Sequence, residues 1–180
     1  LSANGSPEFR EGFGPLLPFR ELPFNDLDAL ERELKKGDVA ALIAEPIQGK
    51  GVYVPDDDFF AKAQALLHKH KALLILDEVQ TGLGRTGSFF AYEHWGVEPD
   101  IITVAKALSG GMIPVGAVLM TTAIYGKTFS RMDRCVVHSS TFAQNDLAMA
   151  AGLATLEVYE REGVTAHAAK IGALLMERLE

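Results

Sequence analysis

The sequence is poor in cysteine, with Cys135 alone among 180 residues. A single cysteine excludes an internal disulfide and is typical of a reducing compartment, so we expect a cytoplasmic protein. Its neighbours Val136 and Val137 favour a buried, small apolar residue over a reactive thiol. Long hydrophobic runs are also missing. No run approaches the ~20 apolar residues that cross a bilayer, which argues against a membrane protein.

Positive charge is scarce and scattered along the chain. The 17 Lys and Arg residues face 24 Asp and Glu residues, which gives a net charge of -7. Binding to the phosphate backbone of nucleic acid requires a clustered basic face, and the sequence has none, so we expect no nucleic-acid partner. With 48% hydrophobic and 23% charged residues, the composition is that of a globular domain with a sizeable core.

Several motifs of known chemistry are missing as well. His68, His70 and His94 lack the spacing of metal ligands, so we predict no metal site. No Gly-x-Ser-x-Gly turn is present, which argues against a Ser-His-Asp hydrolase. The glycine-rich segment 80–87 matches neither a dinucleotide fingerprint nor a P-loop. Within it, Arg85 could bind an anion or fix the loop, and the structural role is favoured.

The sequence does contain short apolar runs that alternate with amphipathic segments. Apolar runs at 39–44, 72–76, 101–104 and 115–120 predict strands. Periodic apolar residues predict helices that begin near residues 26, 58, 88, 145 and 164. Apolar strands that alternate with helices predict an α/β fold, with a mostly parallel sheet covered by helices on both faces.

Three ionisable residues follow the ends of predicted strands: Glu45, Asp77 and Lys106. Ligands of parallel sheets bind beyond the carboxyl ends of the strands, so we expect these residues along one rim. Asp77 either caps a helix or forms a structural ion pair, or it meets a protonated ring nitrogen of a ligand. Lys106 lies among small and apolar neighbours. A buried amine there would attack a carbonyl, and a surface lysine at a strand end is equally compatible with the pattern.

Hydroxyl side chains precede the helix predicted near Asn145. Ser139, Ser140 and Thr141 stand just before that helix, a position that suits a phosphate group. Ordinary helix capping explains Asn145 equally well.

The order of these motifs carries more information than any one of them. The segments are Asp-Glu-Val-Gln-Thr-Gly at 77–82, Gly-Arg-Thr-Gly at 84–87, Pro-Asp-Ile at 99–101 and Lys-Ala-Leu-Ser-Gly-Gly at 106–111, with Glu-Pro-Ile-Gln-Gly at 45–49 and Ser-Thr-Phe at 140–142. In this order and spacing they closely resemble the signature of class III aminotransferases, which are fold-type I enzymes that use pyridoxal 5'-phosphate (PLP). The resemblance covers nearly the whole chain.

The resemblance implies PLP as the cofactor and assigns roles to matching residues. Lys106 would form the Schiff base with PLP and move the proton between carbon centres. Asp77 would pair with the pyridinium nitrogen, Val79 would pack on the face of the ring, and Gln80 would reach the ring hydroxyl. Glu45 would lie near the site in a structural role.

Two further residues and the partners also follow from the resemblance. Ser140 and Thr141 would bind the cofactor phosphate in the partner subunit's active site, so a homodimer is implied. The reaction would move an amino group from an amine or omega-amino acid donor to a keto acid.

The sequence departs from the family pattern at several places. Lys50 stands where many relatives that act on omega-amino acids carry an acid. The family's upstream phosphate-binding loop, its ring-stacking aromatic residue and its C-terminal arginine find no match. Two alternatives therefore stay open: an aminomutase or racemase of the same family, and a truncated non-catalytic module.

The two ends of the chain suggest a fragment. The first residue is Leu1 rather than methionine, and the helical pattern continues to Glu180. We expect residues 1–163 to form part of the PLP-binding large domain, and residues 164–180 to be a helix leading toward a small C-terminal domain that the sequence lacks.

Overall fold

The computed structural model describes residues 2–180, which form a four-stranded sheet and five α-helices. The strands are β1 (Ala41–Ala44), β2 (Leu73–Asp77), β3 (Ile101–Val104) and β4 (Ala117–Met120). The helices are α1 (Leu27–Leu34), α2 (Phe59–His70), α3 (Thr122–Phe129), α4 (Asp146–Glu162) and α5 (Val164–Leu179). Short 3-10 helices lie at Pro7–Phe9, Ala91–Trp95, Lys106–Ser109 and Met132–Arg134.

The strands lie side by side in chain order. β1, β2 and β3 are parallel, and β4 pairs with β3 in the antiparallel direction. The register places Ala44 opposite Leu76, and Asp77 opposite Thr103. The predicted α/β fold with a mostly parallel sheet is confirmed. The carboxyl ends of three neighbouring strands therefore meet at one rim.

Two helices begin at the caps that the sequence indicates. The side chain of Asp26 accepts a hydrogen bond from the Ala29 backbone N at 2.7 Å, and α1 follows. The side chain of Asn145 accepts one from the Ala148 N at 2.9 Å, and α4 follows. Each bond satisfies a backbone donor that has no partner within its own helix.

The core lies between α1, α2 and one face of the sheet. Burial alternates along β2, because Leu74 and Leu76 are fully buried whereas Leu73 and Ile75 are only partly buried. This period of two is that of a strand with one face on the core. The buried cluster is Leu30, Leu34, Phe60, Ala63, Leu67, Ala72, Leu74, Leu76 and Val97.

Two elements differ from the sequence predictions. The helix expected over 88–95 is only a 3-10 turn, Ala91–Trp95. Helix α3 was not predicted, because its eight residues include Gly126, two threonines and an isoleucine, all weak helix formers. It is fixed instead by its cap, since the Thr121 hydroxyl accepts a hydrogen bond from the Ile124 N at 3.4 Å.

The burial expected for Cys135 is wrong. The thiol is exposed and donates to the Met132 carbonyl oxygen at 2.9 Å. It lies in a stretch, residues 131–142, in which every residue is exposed, so flanking valines do not indicate a core position here. Among residues 2–180, no helix combines the length and the apolar character needed to cross a membrane.

Candidate active site

The rim of the sheet brings together the ionisable residues that the sequence places after its strands. Glu45 follows β1 directly, Asp77 is the last residue of β2, and Lys106 comes two residues after β3. Because these strands are parallel neighbours, the three residues stand along one edge. The expectation of a common rim is confirmed.

Asp77 is held by two donors on the same oxygen. Its Oδ1 accepts a hydrogen bond from the Val79 backbone N at 3.0 Å and another from the Thr103 hydroxyl at 3.0 Å. Within residues 2–180, no hydrogen bond reaches its Oδ2. The carboxylate is therefore fixed in orientation and keeps one oxygen available to a cationic N–H group.

Lys106 and Gln80 form a direct contact at this rim. The lysine Nζ donates to Gln80 Oε1 at 2.5 Å, and both side chains are exposed. Of the two possibilities that the sequence left open for Lys106, the exposed lysine is the one observed. Exposure leaves the amine accessible to a ligand that carries a carbonyl group.

The backbone of Lys106 has an unusual conformation. Its φ of 46° lies in the left-handed region, which costs a non-glycine residue about 1–2 kcal/mol. Ala105 before it is extended, with φ −160° and ψ −142°. This abrupt turn at the end of β3 begins the 3-10 helix Lys106–Ser109 and sends the lysine side chain towards Gln80. Such strain is frequent at functional sites.

The turn after β1 lies against Gln80, the partner of Lys106. Glu45 Oε2 accepts a hydrogen bond from the Gly49 backbone N at 3.3 Å. A Cβ atom on Gly49 would lie 3.2 Å from Gln80 Cγ and 3.3 Å from Glu45 Oε1. The turn 45–49 thus packs against Gln80, which agrees with the structural role expected of Glu45. Lys50 follows it, exposed.

Two predicted residues do not join this group. Ser140 and Thr141 are exposed in the segment before α4, and neither hydroxyl forms a hydrogen bond with the rest of the described chain. Their link to the rim is therefore not made within residues 2–180.

The glycine-rich segment serves packing. A Cβ on Gly84 would lie 3.1 Å from Thr165 Oγ1, and one on Gly87 would lie 3.0 Å from the Cβ of Ala169. These glycines let the loop approach α5 closely. Arg85 is exposed and has no ion pair within the described chain, so the expected tie to the loop is not seen.

Sequence reasoning missed two residues that shape the rim. Thr103 holds Asp77, and the signal was a single threonine in an apolar strand three residues before Lys106. Glu78 is 1% exposed and fully hydrogen-bonded, and its only signal was a second acid directly after Asp77. Burial, followed by the carboxylates of Glu93, Glu78 and Glu98, raises the pKa of the adjacent Tyr92 hydroxyl.

The side chains at the rim fit the ring end of PLP. An accessible amine, a carboxylate with one available oxygen and an amide group lie together, and these groups match the aldehyde, ring nitrogen and hydroxyl of that cofactor. The phosphate end would be met by other residues, and the hydroxyls of Ser140 and Thr141 form no hydrogen bond with the rim within residues 2–180.

Comparison with known proteins gives a consistent result. The sequence matches the family described as "Aminotransferase class-III" over residues 2–180. It is 44% identical over 187 aligned positions to the putrescine aminotransferase of Pectobacterium atrosepticum, which covers 100% of this chain and 39% of that protein.

Solved structures show the same similarity in three dimensions. The ornithine aminotransferase of Toxoplasma gondii, described with PLP at partial occupancy in its active site, matches 99% of this chain and 41% of its own with a TM-score of 0.90 and 37% identity. An omega-transaminase of Thermomicrobium roseum matches 99% of this chain and 44% of its own with a TM-score of 0.87 and 36% identity.

The chain spans about two fifths of the length of these relatives. Its match to the family is nevertheless continuous from residue 2 to residue 180 and includes the rim. The chain belongs to the class III aminotransferases, the PLP-dependent family whose fold-type I structure it shares.

Proposed function

We propose that this chain is the cofactor-carrying part of an aminotransferase that moves an amino group from an amine or omega-amino acid donor to a keto acid. The observation that carries the proposal is the convergence of Lys106, Gln80 and Asp77 at one rim. Relatives named for putrescine and ornithine support a donor with a terminal amine. In this proposal residues 1–163 belong to the large domain, and residues 164–180 lead towards a small one.

Each rim residue has a task that its position supports. Lys106 provides the amine that would attach the cofactor, and Asp77 Oδ2 would accept a hydrogen bond from the ring N–H and so keep that nitrogen protonated. Val79 would pack against the ring, and Gln80 would donate to the ring hydroxyl. PLP, when bound, supplies an aldehyde and an electron-accepting ring.

The proton transfer would fall to Lys106. Once its amine is released from the cofactor, Nζ would take a proton from the substrate carbon and return it elsewhere. Gln80 Oε1 accepts a hydrogen bond from Nζ, so the amide orients the amine near the reacting atoms. The hydrogen bond from Thr103 fixes the orientation of the Asp77 carboxylate, which would stabilise the positive ring nitrogen throughout.

A homodimer forms part of the proposal. Ser140 and Thr141 are exposed, and neither hydroxyl forms a hydrogen bond within residues 2–180, which suits hydroxyls serving the phosphate site of a second copy. The cytoplasmic location stays a prediction.

Reductive labelling tests the proposal. The chain is mixed with PLP, reduced with borohydride and digested, and the pyridoxyl label is mapped by mass spectrometry. We expect label on Lys106, loss of that label in Lys106→Arg, and unchanged labelling in Lys127→Arg, which replaces an exposed lysine of α3. Label spread evenly over surface lysines, both here and in a longer protein that includes this chain, would contradict the proposal.

Amino transfer separates this reaction from the alternatives. In the longer protein, putrescine or ornithine is supplied with a keto acid, and amino acid formation is measured. Transfer of the donor nitrogen to the keto acid is expected. Isomerisation of the donor without transfer would indicate a mutase or racemase instead.

A further inference from the structure

A buried carboxylate that the proposed chemistry does not use lies beside Asp77. Glu78 is 1% exposed, and three donors reach it. Its Oε2 accepts from the Thr81 hydroxyl at 2.5 Å and from the Ala91 backbone N at 3.1 Å. Its Oε1 accepts from the Tyr92 backbone N at 2.9 Å. In the described part of the chain it has no cationic partner.

These donors come from both ends of one loop. A carboxylate buried without a cation is costly unless hydrogen bonds replace its water, so all three donors are needed to keep it in place. Thr81 lies near the start of the loop 79–90, and Ala91 and Tyr92 lie just after its end. One side chain therefore closes the loop.

The backbone of Glu78 adds two further contacts. Its carbonyl oxygen accepts from the Gly82 N at 2.9 Å, and its own N donates to the Thr103 carbonyl oxygen at 2.9 Å. The first bond tightens the loop onto Glu78. The second attaches Glu78 to β3, the strand that leads to Lys106.

We infer that Glu78 is a positioning residue, which acts through this loop and fixes the positions of Val79 and Gln80 relative to Lys106. The loop begins with the two residues proposed to contact the cofactor ring, so the contact between Gln80 and Lys106 depends on how the loop is closed. The inference rests on the proposed function, and it assigns to Glu78 no contact with the cofactor or the substrate.

Substitutions at Glu78 and Thr81 separate positioning from folding. In Glu78→Gln the amide has one oxygen, so in either orientation its NH₂ group faces the N–H of Ala91 or of Tyr92. Thr81→Val removes one donor and leaves both backbone donors. Thr81→Ser keeps the hydroxyl. Leu67→Ala, on the buried face of α2, is a control that destabilises the fold away from the loop.

The experiment measures PLP affinity through the visible absorbance of the bound cofactor, together with the fraction of borohydride label on Lys106. Measurements are made at a temperature at which circular dichroism shows each variant folded. We expect Glu78→Gln to weaken PLP binding about tenfold, because small displacements of positioning groups have large effects. Thr81→Val should weaken it less, and Thr81→Ser and Leu67→Ala should match the unsubstituted chain.

Wild-type affinity in both folded Glu78→Gln and Thr81→Val would overturn the inference. If Glu78→Gln does not fold, the comparison of Thr81→Val with Thr81→Ser decides. If Lys106 takes no label either in the unsubstituted chain or in a longer protein that includes it, the proposed function fails, and amide hydrogen exchange then tests the loop by itself. Faster exchange over residues 79–90 in Thr81→Val than in Thr81→Ser supports the closure by Glu78, and equal rates refute it.

Discussion

At the scale of single residues, the site depends on side chains that fix other side chains. Asp77 shares one oxygen between the Val79 amide and the Thr103 hydroxyl, and the register places Asp77 opposite Thr103. The strand pairing therefore sets the orientation of the carboxylate. The rim positions of Lys106 and Asp77 were predictable from the strand ends, whereas the contact with Thr103 required the register, which a single sequence does not give.

Replacement of Thr103 tests this orientation. Thr103→Val keeps the shape and removes the donor to Asp77 Oδ1. We expect PLP affinity to fall about fivefold, since a hydrogen bond of this kind contributes about 1 kcal/mol. The measurement is an absorbance titration with PLP. Thr128→Val is the control, because the Thr128 hydroxyl donates only within α3, to the Ile124 carbonyl oxygen at 3.0 Å. A larger effect in the control would refute the assignment.

Glycine substitutions form a second matched pair. A Cβ on Gly82 would lie 2.8 Å from the Glu78 carbonyl oxygen, a backbone atom that cannot move aside. We expect Gly82→Ala to lower the free energy of unfolding by about 1–3 kcal/mol. Gly126→Ala, in α3 with no atom within 4 Å of the added Cβ, should raise it by about 0.5–1 kcal/mol. Urea denaturation measures both, and equal signs would contradict the contact.

At the scale of elements, the N-terminal segment is attached to the fold by charge. Arg20 donates to Glu33 in α1 at 2.7 Å and to Asp38 in the following turn at 2.5 Å. The hydrogen bond from Lys36, and then that from Arg20, lowers the pKa of Glu33, and the hydrogen bond from Arg20 lowers the pKa of Asp38. Arg20 and Asp38 are exposed and Glu33 is half-buried at the surface, so each pair is weak and screened by salt.

This cluster predicts a pH dependence of stability. Carboxyl pKa values that are lower in the folded state contribute stability above the ordinary values of 4.5 for Glu33 and 3.8 for Asp38, and this contribution is lost as the pH falls through the lowered values. Arg20→Gln should therefore lose stability at about pH 7 and little at about pH 3. Denaturation at both pH values measures this. Arg178→Gln, in the last turn of α5, is the control.

The elements themselves were predicted unevenly. β3 was predicted at its observed bounds, because apolar residues and flanking turns agree over 101–104. Helix α3 could not be predicted, because its residues have weak helix propensity and its start is fixed by the Thr121 cap. The segment 88–95 has helical spacing, but it forms only a short 3-10 turn over Ala91–Trp95, whose first two backbone N–H groups bond to Glu78. A tertiary contact of this kind leaves no local pattern.

At the scale of the whole molecule, one exposed stretch around Ser140 carries several large apolar side chains. Val136, Val137, Phe142 and Leu147 are all more than half exposed, and Phe142 reaches 83%. Exposed apolar groups in such number mark contact surfaces. This stretch includes Ser140 and Thr141, so its burial against a second copy would serve the proposed phosphate site.

Self-association of the chain follows from that surface. We expect a concentration-dependent dimer in sedimentation velocity, which the double substitution Phe142→Ser and Leu147→Ser weakens at least about tenfold in Kd. Leu17→Ser is the control, since Leu17 is also 71% exposed but lies in the N-terminal segment. An unchanged Kd in the double variant would exclude this stretch from the contact.

The left-handed backbone at Lys106 creates a conflict between the stability of the fold and the proposed role of the lysine amine. Glycine adopts a φ of 46° without strain. The free energy of unfolding of Lys106→Gly should therefore be about 1 kcal/mol higher than that of the unsubstituted chain, although the variant has lost the amine. A library screened for heat resistance alone would enrich that glycine and discard the lysine. Under the proposed function, position 106 is therefore one where improved thermostability would accompany lost activity, and engineering of this chain would have to screen for both properties together.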